Sequence, residues 1–242
     1  MSSATGIRRA SERGVVDYGW LKSCYSFSFA SYYDPEQMGF SDLLILNDNW
    51  VAAGGYFEKR LHREMEVFTY VLNGELELQD TDGIKLLVSS GEAQLLSVGS
   101  AGHRSGCNAS PRSPLHFLQI WIVPAERGGT SRYQQKAIQI KKRRGQLCLV
   151  LSPDGQDGSL IIKQETCVYA GIFDGSDSAS LTLPLGRFAY VHLARGSLTV
   201  NGQRLDEGDG LKIRQANNIE LSHGENAEAL IFDLRPMEKP SF

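Results

Sequence analysis

The stretch GGYFEKRLHREMEVFTYVLNG, residues 54–74, decides the reading of this chain. It opens on a glycine pair, sets Arg60 and His62 two apart, and places Glu66 in a run rich in β-branched and aromatic residues. Residues two apart on a strand point to one face, so positions 60 and 62 share a wall. A histidine pair there would chelate a metal ion. An arginine in the first place opposes one, because a guanidinium stays protonated and cannot ligate a cation. Asn73-Gly74 ends the run and accepts the positive φ of a hairpin turn, after which ELELQD (75–80) begins another strand.

The same texture extends outward. LLILND (43–48), IKLLVSSG (84–91), AQLLSVG (93–99) and LHFLQIWIV (115–123) are short apolar runs punctuated by Gly, Asn and Asp, with Asp82-Gly83 as a second turn signal. Their spacing predicts strands of a sandwich or barrel, and no long 3.6-residue apolar stripe predicts a helix. The chain has 242 residues, enough for one large or two small domains. A formal charge of -3 gives no field to gather nucleic acid or anionic membrane. No apolar run has membrane-spanning length, and the first residues carry no apolar secretory core. The four cysteines (Cys24, Cys107, Cys148, Cys167) are far apart, which fits free thiols in a reducing, cytoplasmic setting.

After residue 135 the pattern restarts. QLCLVLS (146–152), LTLPLG (181–186), AYVHLARGSLTVNGQ (189–203), LDEGDGLKIRQ (205–215), IELSHGE (219–225) and EALIFDL (228–234) repeat the earlier order of strand, turn and strand. Two similar β-domains in tandem are expected, 1–134 and 135–242. The basic run KKRRG (141–145) between them reads as a solvated turn or strand edge.

GWL, SFSF, YYDP, MGF and LND, in that order between residues 19 and 48, resemble the pirin family. The resemblance covers roughly the first 125 residues, together with LVLSPDGQDGSL and the closing LIFDL. It implies an all-β bicupin, two jelly-roll-like cupin barrels in one chain. The first cupin signature has its frame here in Gly54, Arg60, His62, Glu66 and Gly74, with arginine in place of the first histidine. In pirins the second signature supplies another histidine and, two residues on, a glutamate. GEAQLLSVGSAGHRSGCN (91–108) puts Arg104 and Gly106 at those positions, with His103 one residue out of register.

Where the family's set is complete, it implies an iron-dependent dioxygenase acting on a flavonol such as quercetin. A transition ion needs three or four N or O ligands at about 2.0–2.2 Å and an open position. This chain keeps His62 alone in family register, so no catalytic residue and no metal is expected. Iron, nickel, manganese or zinc would require an unusual set such as His62, His103 and Glu66. The pocket candidates are Arg60, His62, Glu66, His103 and Arg104, and two guanidinium groups there suit an anion; alternatively the arginines pair with local glutamates or reach solvent.

His116, His192 and His223 read as structural, surface or turn residues, and the second barrel offers no chelating pair. Cys107 and Cys24 are redox candidates, Cys107 because nearby arginines would lower its pKa, against the alternative of inert thiols. No nucleophile elbow and no phosphate-cradling loop occurs. The expected function is a metal-free bicupin that binds a small ligand or a protein partner, with possible redox sensitivity and a monomeric state admissible. The alternatives are a quercetin 2,3-dioxygenase-type oxidoreductase and, by family analogy alone, a transcriptional co-regulator.

Overall fold

The computed structural model describes residues 5–79, 83–99, 102–215 and 217–240, without the side chains of 58–62 and 102–104. The first half contributes β1 (Thr5–Arg8), β2 (Gly14–Asp17), β3 (Leu21–Tyr25), β4 (Leu43–Val51), β5 (Tyr56–His62) and β6 (Met65–Asn73). It continues with β7 (Glu75–Gln79), β8 (Lys85–Ser89), β9 (Glu92–Val98), β10 (Gly102–Asn108), β11 (Leu115–Ile122) and β12 (Arg132–Ala137). The second half holds β13 (Leu147–Ser152), β14 (Leu160–Ile161), β15 (Cys167–Phe173) and β16 (Ala179–Thr182). It ends with β17 (Phe188–Val200), β18 (Gln203–Asp206), β19 (Gly210–Ile213) and β20 (Asn218–Leu234). Only three short 3₁₀ turns interrupt the described strands, so the expected all-β, two-barrel architecture is found.

A seven-stranded sheet in the order β12-β9-β6-β11-β4-β3-β2 faces a four-stranded sheet, β5-β10-β7-β8, to make the first barrel. Strand β6 shows why. From Met65 to Leu72 every residue is buried, because both faces of the large sheet are covered. Phe68, Tyr70 and Leu72 turn outward into a core shared with the second barrel, where Tyr190, Leu230 and Phe232 meet them. Val67 and Val71 turn inward. One strand thus serves two cores through its two-residue period.

The second barrel is built on a nine-stranded sheet centred on β17 and β20. Its interior is filled by apolar side chains, among them Val191, Leu193, Leu198, Leu211, Ile219 and Ile231. The first barrel differs in being hollow, as described below.

Several local expectations change. ARGSLTVNG turns only at its end: β17 runs straight through Arg195 and Gly196, with register shifts at Arg195 and Ser197, and the hairpin forms at Asn201-Gly202, where Val200 pairs with Gln203 of β18. Gly196 adopts φ +70° at that bulge, where a Cβ would lie 2.2 Å from the Glu225 carbonyl oxygen. His223 is likewise a bulge within β20 at φ +52°, not a turn between strands. Arg143 of the basic run is 5% exposed and pairs with Glu228, so this member of KKRRG is not solvated. The boundary expected between 134 and 135 falls inside β12, which pairs with β9 of the first barrel, while β1 joins the second barrel through β19. Pairing along a sheet edge outweighs position along the chain in both cases.

Candidate functional site

The interior of the first barrel holds a cavity of about 40 Å³. Apolar walls come from Leu21, Phe29, Val67, Leu96 and Phe117 on one side and Phe57 and Leu78 of the smaller sheet on the other. The remaining lining is polar but uncharged: Ser23, Tyr25, Asn47, Asn49, Thr69, Gln94 and Gln119. Ser23 donates to the Asn49 Oδ1 at 2.8 Å, and Asn49 donates in turn to the Asn47 carbonyl oxygen at 3.2 Å. Apolar walls with a few fixed polar groups are the make-up of a small-molecule pocket.

The residues singled out from the sequence lie on β5, β6 and β10. Arg60 pairs directly with Arg104, His62 with Gly102, and His103 with Leu61. The side chains of Arg60, His62, His103 and Arg104 lie outside the described residues. The backbone register therefore sets the two arginine positions opposite each other, with His103 one position away from that pairing. Glu66 is not part of the cavity lining. It is buried and accepts a 2.8 Å hydrogen bond from the Ser97 hydroxyl, on the face opposite Val67 and Thr69. Burial pushes its carboxyl above the ordinary value, with Ser97 opposing.

Gly106 is the most informative position. The ring of Phe57 lies across it, and a Cβ there would sit 2.2 Å from the Phe57 Cζ. A carboxylate side chain at 106 could not share that space with the ring as placed. Phe57 packs in turn on Phe117, with ring centroids 5.7 Å apart. No three His, Cys, Asp or Glu side chains converge among the described residues as a metal would require.

Cys107, next in the chain, lies beside Glu77, its sulfur 3.9 Å from a carboxylate oxygen. Burial first and then Glu77 push its thiol above the ordinary value. That is opposite to the direction expected from nearby arginines. Cys24 is buried, and burial also raises its thiol, against the lowering influence of Arg13.

Two buried polar clusters between the barrels have no counterpart in any local sequence pattern. His116 Nε2 lies 2.6 Å from Asp48, whose other oxygen pairs with Arg13 at 3.4 Å. His192, fully buried, has no hydrogen-bond partner on either ring nitrogen among the described residues, and desolvation drives its pKa down to about 3. In the second cluster the Tyr70 hydroxyl donates to Glu228 at 2.7 Å, while Arg143 bonds both groups. A signal for this cluster was present only as an isolated tyrosine, arginine and glutamate far apart in the chain.

Two β-barrels of this kind in one chain make a bicupin. A family model described as Pirin matches residues 6–122, and one described as Quercetinase C-terminal cupin domain matches residues 149–234. The quercetin 2,3-dioxygenase of Escherichia coli K12 is 40% identical over 234 residues, covering 96% of this chain and 99% of that one. The pirin-like protein YhaK of the same organism is 33% identical over 232 residues, 94% of this chain and 97% of that one. The crystal structure of the bacterial pirin YhhW in complex with nickel(II), from E. coli, superposes with a TM-score of 0.90 at 39% identity, covering 96% of this chain and all of that one. The chain belongs to the pirin family.

Proposed function

We propose that this protein is a pirin-like bicupin without a working metal centre, and that it holds a small ligand in the hollow first barrel. The observation that carries this reading is at Gly106, where the family glutamate is absent and the ring of Phe57 stands in its place. Arginine at 60 and 104 supports it, because a guanidinium repels a cation and supplies no lone pair. The residues present do not suit a transition ion, so no reaction step is derived through one. The apolar walls and uncharged polar groups of the cavity supply what a small-molecule binder needs. Arg60 and Arg104, opposed in the register of β5 and β10, extend the reading to ligands that carry an anionic oxygen.

A second reading, a metal-dependent quercetin 2,3-dioxygenase with altered ligands, is favoured by the 40% identity to the E. coli enzyme of that name. One experiment divides the two. Purified protein is reconstituted with iron(II) and, separately, with nickel(II), desalted and analysed for metal, and oxygen uptake is followed on addition of quercetin. Substoichiometric metal and no uptake are expected. One equivalent of retained metal with quercetin-dependent uptake overturns the binder and establishes the dioxygenase.

A further inference from the structure

A second cleft lies outside the barrel interior. It is bounded by the turn from β5 to β6, the segment that follows β11, and the residue after β20, so both barrels contribute to it. Its volume is about 440 Å³, in the range of small-molecule pockets. Arg63, Glu64, Arg127 and Arg235 make it polar, while Met65, Val123, Pro124 and Ala125 give it an aliphatic surface. None of these lines the interior cavity. The walls are fixed through the backbone. The Glu64 N–H donates to the Gly99 carbonyl oxygen at 2.8 Å, the Val123 N–H to that of Asp42 at 2.9 Å, and the Ala125 N–H to that of Lys163 at 2.8 Å.

The charges of the cleft do not balance locally. Arg235 is held by the fully buried Asp42 through bonds of 2.8 and 2.6 Å from Nε and Nη2, which satisfies its charge and leaves its Nη1 donors outside that pair. Arg127 reaches Glu64 only at 3.6 Å, with both side chains partly in solvent. Arg63 is exposed and has no hydrogen bond or ion pair among the described residues. One carboxylate, Glu64, therefore stands against the two guanidinium groups of Arg63 and Arg127.

We propose that this cleft binds a small molecule with an anionic oxygen group, a carboxylate or a phosphate monoester, on a short aliphatic body. Arg63 and Arg127 donate to the anion, whose paired oxygens match the fork of a guanidinium. Glu64 competes for Arg127, and a half-exposed pair at that separation is weak enough for a ligand oxygen to displace. Arg235, anchored by Asp42, positions one wall. Met65, Val123, Pro124 and Ala125 take the carbon chain, and no aromatic ring is among the described lining residues to favour a flat ligand. The site stands independently of the reading of the barrel interior.

The test is calorimetry on the full-length protein with butyl phosphate, hexanoate and the uncharged 1-hexanol as probes. At least one anion is expected to bind, about tenfold or more tightly than hexanol, and to weaken as salt is raised. The tighter of the two anions identifies the head group. Arg63→Gln and Arg127→Gln are each expected to weaken that anion about tenfold, and Glu64→Gln to tighten it, because the competing carboxylate is gone. The opposite signs separate recognition from structural damage, which would weaken binding in all three variants. These side chains are exposed or half-exposed, so the variants should fold, as an unchanged Tm would verify. The proposal is overturned if neither anion binds the wild-type chain, if hexanol binds as well as the anions, or if Glu64→Gln weakens binding as the arginine variants do. Anion binding that is lost in Arg60→Gln and kept in Arg63→Gln also overturns it, and assigns the anion to the first barrel's interior instead.

Discussion

Replacing Glu228 with Gln tests the cluster that joins the two barrels. In the native protein Glu228 is 5% exposed, pairs with Arg143, also 5% exposed, and accepts from the Tyr70 hydroxyl. Arg195 reaches its other oxygen at 3.4 Å but keeps 37% of its side chain in solvent. The amide preserves shape and removes the charge. Arg143 is then a buried guanidinium with no counter-charge among its described contacts, because Tyr70 offers only a neutral oxygen. Breaking one half of a buried pair costs about 3–5 kcal/mol. Partial compensation by the remaining hydrogen bonds favours the lower end, about 3 kcal/mol. For a chain of this size that corresponds to a fall in Tm of roughly 6–12 °C. Urea unfolding followed by tryptophan fluorescence, with m-values compared, reads the change directly. The double variant Arg143→Met, Glu228→Leu should recover most of the loss, since it removes both charges and fills the volume. A loss below about 1 kcal/mol in Glu228→Gln, or a double variant worse than the single, refutes the argument that charge burial is what this site manages.

Two further outcomes follow from the buried and half-buried groups. His192 has its folded pKa lowered from 6.5 to about 3, so between those values the unfolded chain binds a proton that the folded chain refuses. Its contribution favours folding above pH 6.5 and is lost as pH falls toward 3, by about 2–3 kcal/mol at pH 4.5. His192→Leu should therefore flatten the fall in stability between pH 7 and pH 4.5 relative to the native chain; an unchanged difference between the two pH values rejects the assignment. For Cys107, alkylation by iodoacetamide at pH 7, read by mass spectrometry, should be slow and should quicken in Glu77→Gln, because the carboxylate raises the thiol pKa. A thiol that reacts faster in the native protein than in the variant contradicts that cause.

Alternating and continuous apolar runs, with Asn-Gly at a turn, were sufficient to indicate strands, two barrels and few helices, because these are properties of neighbours along the chain. The departures at Arg60, Arg104 and Gly106 were equally visible, since a signature depends on spacing alone. What lies over Gly106 was not. Phe57 lies over Gly106 because β5 and β10 are paired there, and a pairing 49 positions apart is written in no local pattern. The polar residues Tyr25, Asn47, Gln119, Thr69 and Gln94 of the cavity lining have the same origin: each looks like an ordinary polar residue in its own strand, and only the registers of four strand pairs bring them into line. Arg143 and Glu228 make the point for charge. A basic run predicts solvation until the fold wraps a second barrel over it. The sequence by itself determined which segments extend, where they turn and that Arg60, Arg104 and Gly106 depart from the family's signature. The tertiary structure alone decided which barrel is hollow and which polar atoms face the hollow, because both depend on contacts between residues distant in the chain, where burial and register are set jointly.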